Sequence, residues 1–157
     1  MPEDHSERYW KTIERAYDAV GIYDGVKVFQ QQFGQLQPDV ARLLAVHWCV
    51  SEVSNEGFHQ FFYNDTAVLA PEAADAFEAF GMDRCAAIVR RAMARLGPCY
   101  PRSRLLRMIR LLLTQALHFK SSETLLDPED TEFYDRYDTE AGGYEKAGLH
   151  YMNARQT

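Results

Sequence analysis

Cysteine is scarce in this chain. It has three in 157 residues (Cys49, Cys85, Cys99) and no C-x-x-C, which fits reduced cytoplasmic thiols better than a disulfide framework. Glycine (nine) and proline (six) are too few for collagen-like or low-complexity sequence. No apolar run approaches the 18 or more residues that span a bilayer. The opening MPEDHSERYW lacks an apolar h-region, so no signal peptide is expected. There is no G-x-S-x-G, no Walker loop and no G-x-G-x-x-G, which removes the usual signs of a nucleophile elbow or a nucleotide site. Alternating strand patterns are few. The best of them, 58–64, has no partner strand and reads better as helix. No internal repeat or long linker divides the chain.

What the chain does contain is helix. Hydrophobic residues make up 46% and aromatics 13%, enough to bury a sizeable core in one domain covering 1–157. Trp10, Ile13, Tyr17 and Val20 form an amphipathic stripe, with Ser6 as cap and Gly21 as stop. A short helix spans 25–33 and ends at Gly34. Pro38 opens a central helix to about Asn55, rich in Leu43, Leu44, Val46, Trp48, Val50 and Val53. Further helices are predicted over 71–80, from Asp83 to Gly97-Pro98, and over 104–121. In the last of these Leu105, Leu106, Ile109, Leu112, Leu113, Ala116 and Leu117 make the apolar face, with Arg107 and Arg110 opposite. Asp127-Pro128 opens an acidic helix within an acidic region from about 123, and a final helix follows near 144–154. The fold expected is all-α, a compact single-domain bundle of six to eight helices.

Charge is blocked along the chain. The net charge of -6 divides into -9 over 1–83, +9 over 84–120 and -6 over 121–157. The middle block carries Arg84, Arg90, Arg91, Arg95, Arg102, Arg104, Arg107 and Arg110 with no acid at all. In an acidic chain these arginines are expected to pair with the flanking acidic helices rather than to hold nucleic acid. The last block offers Asp127, Glu129, Asp130, Glu132, Asp135, Asp138 and Glu140, a candidate face for a basic partner.

One stretch is distinctive. Residues 52–64 read E-V-S-N-E-G-F-H-Q-F-F-Y-N, followed after a short polar turn by Ala70-Pro71-Glu72-Ala73 and a helix ending at Gly81. On a continuous helix Glu52, Asn55 and His59 would share one face, and Glu56, Gln60 and Tyr63 another. Phe58, Phe61 and Phe62 would supply an apolar wedge, and Gly57 a break or a close approach. Amides and a carboxylate of the stretch, with Asn55 and Gln60 buried, would then satisfy backbone groups opened at the break. A His59 beside Glu52 would favour the imidazolium.

The stretch resembles the signature E-V-x-N-G-G-F-x-Q-F-F-x-N of a bacterial family of small helical proteins that includes a DNA mimic, with Glu56 in place of the first glycine. The resemblance implies a non-enzymatic, protein-binding regulator whose acidic face occupies the DNA-binding surface of a transcription factor. It also implies a homodimer, to which the aromatic-rich composition adds. Two alternatives stand beside it: an immunity- or antitoxin-like inhibitor of a basic enzyme, and a small-molecule binder using the 52–64 pocket.

Chemistry finds little else. Glu56 and His59 spell a single E-x-x-H where a di-iron bundle needs two. His47 and Cys49 lie about 200° apart on a helix. His118 and His150 stand alone. No catalytic residue, metal or cofactor is expected, nor any direct contact with nucleic acid or membrane.

Overall fold

The computed structural model describes residues 4–117 and 125–155. These form eight α-helices: α1 (His5–Ala19), α2 (Val26–Gln35), α3 (Pro38–Tyr63), α4 (Ala70–Ala79), α5 (Asp83–Ala94), α6 (Arg104–Leu117), α7 (Asp127–Tyr134) and α8 (Tyr144–Arg155). Short 3-10 turns at Asp65–Leu69 and Glu140–Gly142 connect them, and no strand occurs among the described residues. The all-α expectation holds. The helix predicted over 104–121 reaches Leu117, and its last positions lie outside the described residues.

α3 is the axis of the molecule. Pro38 supplies a first-turn residue that needs no N–H partner. From Leu43 to Val50 every residue is buried, so the helix is sheathed on all sides. α1 and α8 pack on its first half, α6 and α7 on its second, and the α4–α5 hairpin closes the remaining side. Gly57 interrupts it with φ 78° and ψ 175°, a conformation open essentially to glycine alone. The aromatic run predicted as helix rather than strand is helical through Tyr63, and Phe58, Phe61 and Phe62 are fully buried as the expected wedge.

Local stops differ in detail. The α1 cap is Asp4, whose carboxylate accepts from the Ser6 N–H, not Ser6 itself. Gly34 lies inside α2 instead of ending it. Larger is the inversion of α6. The leucine face expected to be buried is exposed, with Leu105 at 65% and Leu117 at 84%, while Arg107 is 1% exposed. Leu111 is the buried apolar anchor of this helix.

Candidate functional site: a motif clamp beneath an acidic helix

The break at Gly57 sets the geometry of the whole motif. In an unbroken helix the Val53 carbonyl would accept from the Gly57 N–H, and the Phe58 N–H would reach back to the Ser54 carbonyl. α7 reaches both the Val53 carbonyl and the Phe58 N–H. The Tyr134 hydroxyl donates to the Val53 carbonyl at 3.0 Å, and the Phe58 N–H donates to Asp130 Oδ1 at 2.7 Å. The Phe133 ring fixes the same contact edge-on against Phe58 and Phe77, at centroid distances of 5.3 and 5.9 Å. A Cβ on Gly57 would sit 2.6 Å from Asp130 Oδ2. Glycine is therefore required twice at this position, for its backbone conformation and for the close approach of the carboxylate. Burial raises the Asp130 carboxyl above its ordinary range, and the Phe58 N–H pulls against that rise.

Beyond the break the motif turns back on itself. Asn64 Nδ2 donates to Glu52 Oε2, Thr66 donates to Glu52 Oε1 at 3.3 Å, and Gln60 donates to Asn64 Oδ1 at 3.2 Å. The expected link between His59 and Glu52 is replaced: the His59 ring bonds Gln115 at 2.8 Å and lies 5.0 Å from the Tyr63 ring. Asn55 is exposed, against the expectation that it is buried. Gly57 resets the helical phase, so spacing counted across it does not place Asn55 with His59.

The far end of α3 is closed by α6. Arg107 Nε donates to the Phe62 carbonyl at 2.9 Å and Nη2 to the Asn64 carbonyl at 2.8 Å, while Nη1 donates to the Arg102 carbonyl at 2.7 Å. Arg104 Nε reaches the Tyr63 carbonyl at 2.7 Å. The Phe62 and Tyr63 carbonyls belong to the last turn of α3, where a helix leaves acceptors without intrahelical partners, and a guanidinium can serve several at once. That is why an arginine, and not the leucine stripe, faces inward.

Most of the rest of the basic block pairs within the chain, largely at the surface, while Arg84 engages Glu140 through its backbone N–H and its side chain is exposed. Arg90 binds Asp75 and Glu78, Arg91 binds Glu129 and Glu132, Arg95 binds Glu129, and Arg102 binds Glu72. Arg110 donates to the Leu96 and Cys99 carbonyls. The expected pairing with flanking acids is thus seen for five arginines of the block, Arg104 reaching Asp65 at 4.0 Å, whereas Arg107 and Arg110 serve backbone carbonyls.

This accounting divides the candidate acidic face. Glu129 is 0% exposed: Oε1 takes Arg91 and Arg95, and Oε2 is buried without a hydrogen-bond partner. Asp130 is committed to the clamp. Glu140 caps α5, accepting from the Arg84 N–H at 2.8 Å and the Cys85 N–H at 2.9 Å. Glu132 is half exposed beside Arg91, and Asp127 is partly buried in the first turn of α7. Asp135 and Asp138 are exposed on the turn that follows α7. The row is thus half scaffold and half surface, a division that residue spacing alone does not reveal.

Two other places carry chemistry. His47 lies buried among Tyr9, Trp10 and Tyr17, with Nδ1 3.1 Å from the Tyr9 hydroxyl, and burial lowers its pKa to about 4. A polar cavity of about 250 Å³ is lined by Ile22, Tyr23, Glu52, Asn64, Asp65, Thr66 and Arg104, and so touches the 52–64 motif at Glu52 and Asn64. Among the described residues no three His, Cys, Asp or Glu side chains converge in a way that could hold a metal ion, and no helix is long and apolar enough to cross a membrane.

The family model described as DMP19-like protein matches residues 34–154, which takes in α3 through α8 apart from the last residue. No curated protein and no solved structure matches the chain.

Proposed function

The chain belongs to the DMP19-like family, and on that premise we propose that it is a non-enzymatic, protein-binding regulator of the cytoplasm, a DNA mimic that occupies the DNA-binding surface of a transcription factor. The observation that supports this reading is the pairing of most of the basic block within the chain, which leaves Arg84 and Arg136 as the exposed bases beside Asp135. Arg91 and Arg95 meet the buried Glu129, Arg90 and Arg102 form surface pairs with Asp75, Glu78 and Glu72, and Arg107 and Arg110 donate to backbone carbonyls. A positive field that would repel a cationic partner is thereby reduced.

Asp135 and Asp138 remain outward, with the open side of Glu132 beside them. They follow a helix bolted to α3 through Tyr134 and Asp130, so the carboxylates stand on a rigid support. Fixed charges of this kind steer a basic partner and make its binding sensitive to salt.

The test is affinity capture of a DNA-binding protein by the immobilised chain at low and high salt, followed by challenge with duplex DNA. Displacement by duplex and loss at high salt are expected. Capture that survives both would reject mimicry. Rescue of cells from a co-expressed basic toxin, without any DNA-binding protein captured, would favour the immunity-type inhibitor.

A further inference from the structure

Among the described arginines of the basic block, Arg84 is the exception. Each arginine from Arg90 to Arg110 donates to a carboxylate or a backbone carbonyl, whereas the Arg84 side chain is exposed and forms no ion pair among the described residues. Arg136, on the turn after α7, is in the same condition. The two belong to different elements, yet both line one surface depression of about 280 Å³, shared with Arg91, Glu132 and Asp135.

One residue holds these two bases in register. Glu140 accepts from the Arg84 N–H at 2.8 Å and the Cys85 N–H at 2.9 Å, which fixes the first turn of α5. Its own N–H donates to the Arg136 carbonyl at 2.8 Å. The Arg136 N–H donates in turn to the carbonyl of Phe133, a residue with no exposed surface. Both backbones are thus set by the scaffold, and the long side chains are left to reach outward. The carboxylates of the depression do not neutralise them. Glu132 is taken by Arg91 at 2.8 Å, and Asp135 forms no ion pair among the described residues.

A partner surface that is basic throughout would be repelled at this point, because like charges set against each other cost affinity. We propose that Arg84 and Arg136 receive a carboxylate side chain of the partner, so that its surface is mixed: cations opposite Asp135 and Asp138, an aspartate or glutamate opposite the two arginines. The inference rests on the mimicry reading and adds the chemistry of the surface that is met. Guanidinium groups suit a carboxylate through paired, charge-assisted hydrogen bonds. A phosphate suits the depression less well, since Glu132 and Asp135 repel its further negative charge. The contact also separates mimic from nucleic acid. A carboxylate within a DNA-binding surface repels duplex phosphates but attracts these arginines, so it favours the mimic over the DNA it displaces.

The test compares the affinity of the captured DNA-binding protein for the wild-type chain and for Arg84→Ala/Arg136→Ala, with circular dichroism as the fold control. The variant is two charges more acidic, so a partner drawn by net charge alone binds it more tightly. The proposal predicts the opposite sign, a loss of roughly fivefold or more. Arg15→Ala/Lys27→Ala makes the same change of net charge at exposed positions of α1 and α2, and is expected to bind at least as tightly as wild type. Unchanged or tighter binding by the Arg84/Arg136 variant, or an equal loss in the control, would overturn the proposal. Should alanine at position 84 disturb the start of α5, Arg136→Ala alone decides by the same sign. Capture of no DNA-binding protein rejects both readings. Capture that duplex DNA displaces, with no loss on removal of the arginines, leaves mimicry standing and removes the mixed surface.

Discussion

Replacing Gly57 by alanine tests the clamp most sharply. The added Cβ is forced into a backbone conformation at φ 78°, ψ 175° that non-glycine residues avoid, at a cost of about 1–3 kcal/mol. The same atom meets Asp130 Oδ2 at 2.6 Å, so the carboxylate must withdraw and release the Phe58 N–H. A buried donor left unpaired adds about 1–3 kcal/mol. The loss expected is roughly 3–5 kcal/mol, a large share of the about 5–15 kcal/mol that holds a typical domain.

Gly81→Ala supplies the comparison. Gly81 also has a positive φ, 74°, but a Cβ there meets nothing within 4 Å, so only backbone strain of about 1–2 kcal/mol is expected. Urea unfolding gives both values. Placing Gly57→Ala in an Asp130→Ala background should shrink its cost toward that of Gly81→Ala, because the clash is gone. Equal losses for Gly57→Ala and Gly81→Ala in the wild-type background would refute the reasoning.

Two further perturbations follow from the core. The His47 pKa is depressed from 6.5 to about 4, so the neutral ring is the form the fold accepts. Its contribution is complete above the unfolded value and is lost as pH falls through the window from 6.5 to 4, by about 3 kcal/mol in total. His47→Gln should flatten that part of the stability profile measured by denaturant titration, and an unchanged slope would count against it. Arg107→Met keeps the apolar stem but removes the donors to the Phe62 and Arg102 carbonyls and leaves the Asn64 carbonyl to the Ala67 N–H alone, with an expected loss of roughly 2–4 kcal/mol in urea unfolding.

The helices were legible because apolar periodicity and Pro or Gly punctuation agree along most of the chain. Pro38 opens α3 where predicted, and the positive φ of Gly81 closes the α4 segment. The inversion of α6 has one physical cause: hydrophobicity predicts one face, while backbone hydrogen bonding selects the other. Arg107 faces inward because the end of α3 needs donors, and the leucines of α6 are displaced to the surface in consequence. Asn55 was misplaced because spacing counted across Gly57 assumes a continuous helix.

The clamp partners could not be found locally at all. Asp130 and Tyr134 lie 72 and 81 residues from the backbone groups they satisfy. Within the acidic row nothing in the spacing separates the buried Glu129 from the exposed Asp135. The fate of the arginine block was more accessible, because a run of bases between two acidic segments has its counterions close at hand.

The central claim is that outward carboxylates after α7 receive a cationic protein surface. Its most direct measurement is the binding of the captured DNA-binding protein to wild type and to Asp135→Lys/Asp138→Lys, with duplex DNA as competitor. The account predicts that the doubly reversed variant, still folded, loses about tenfold or more in affinity and that its binding depends less steeply on salt. Unchanged affinity and unchanged salt dependence would contradict it.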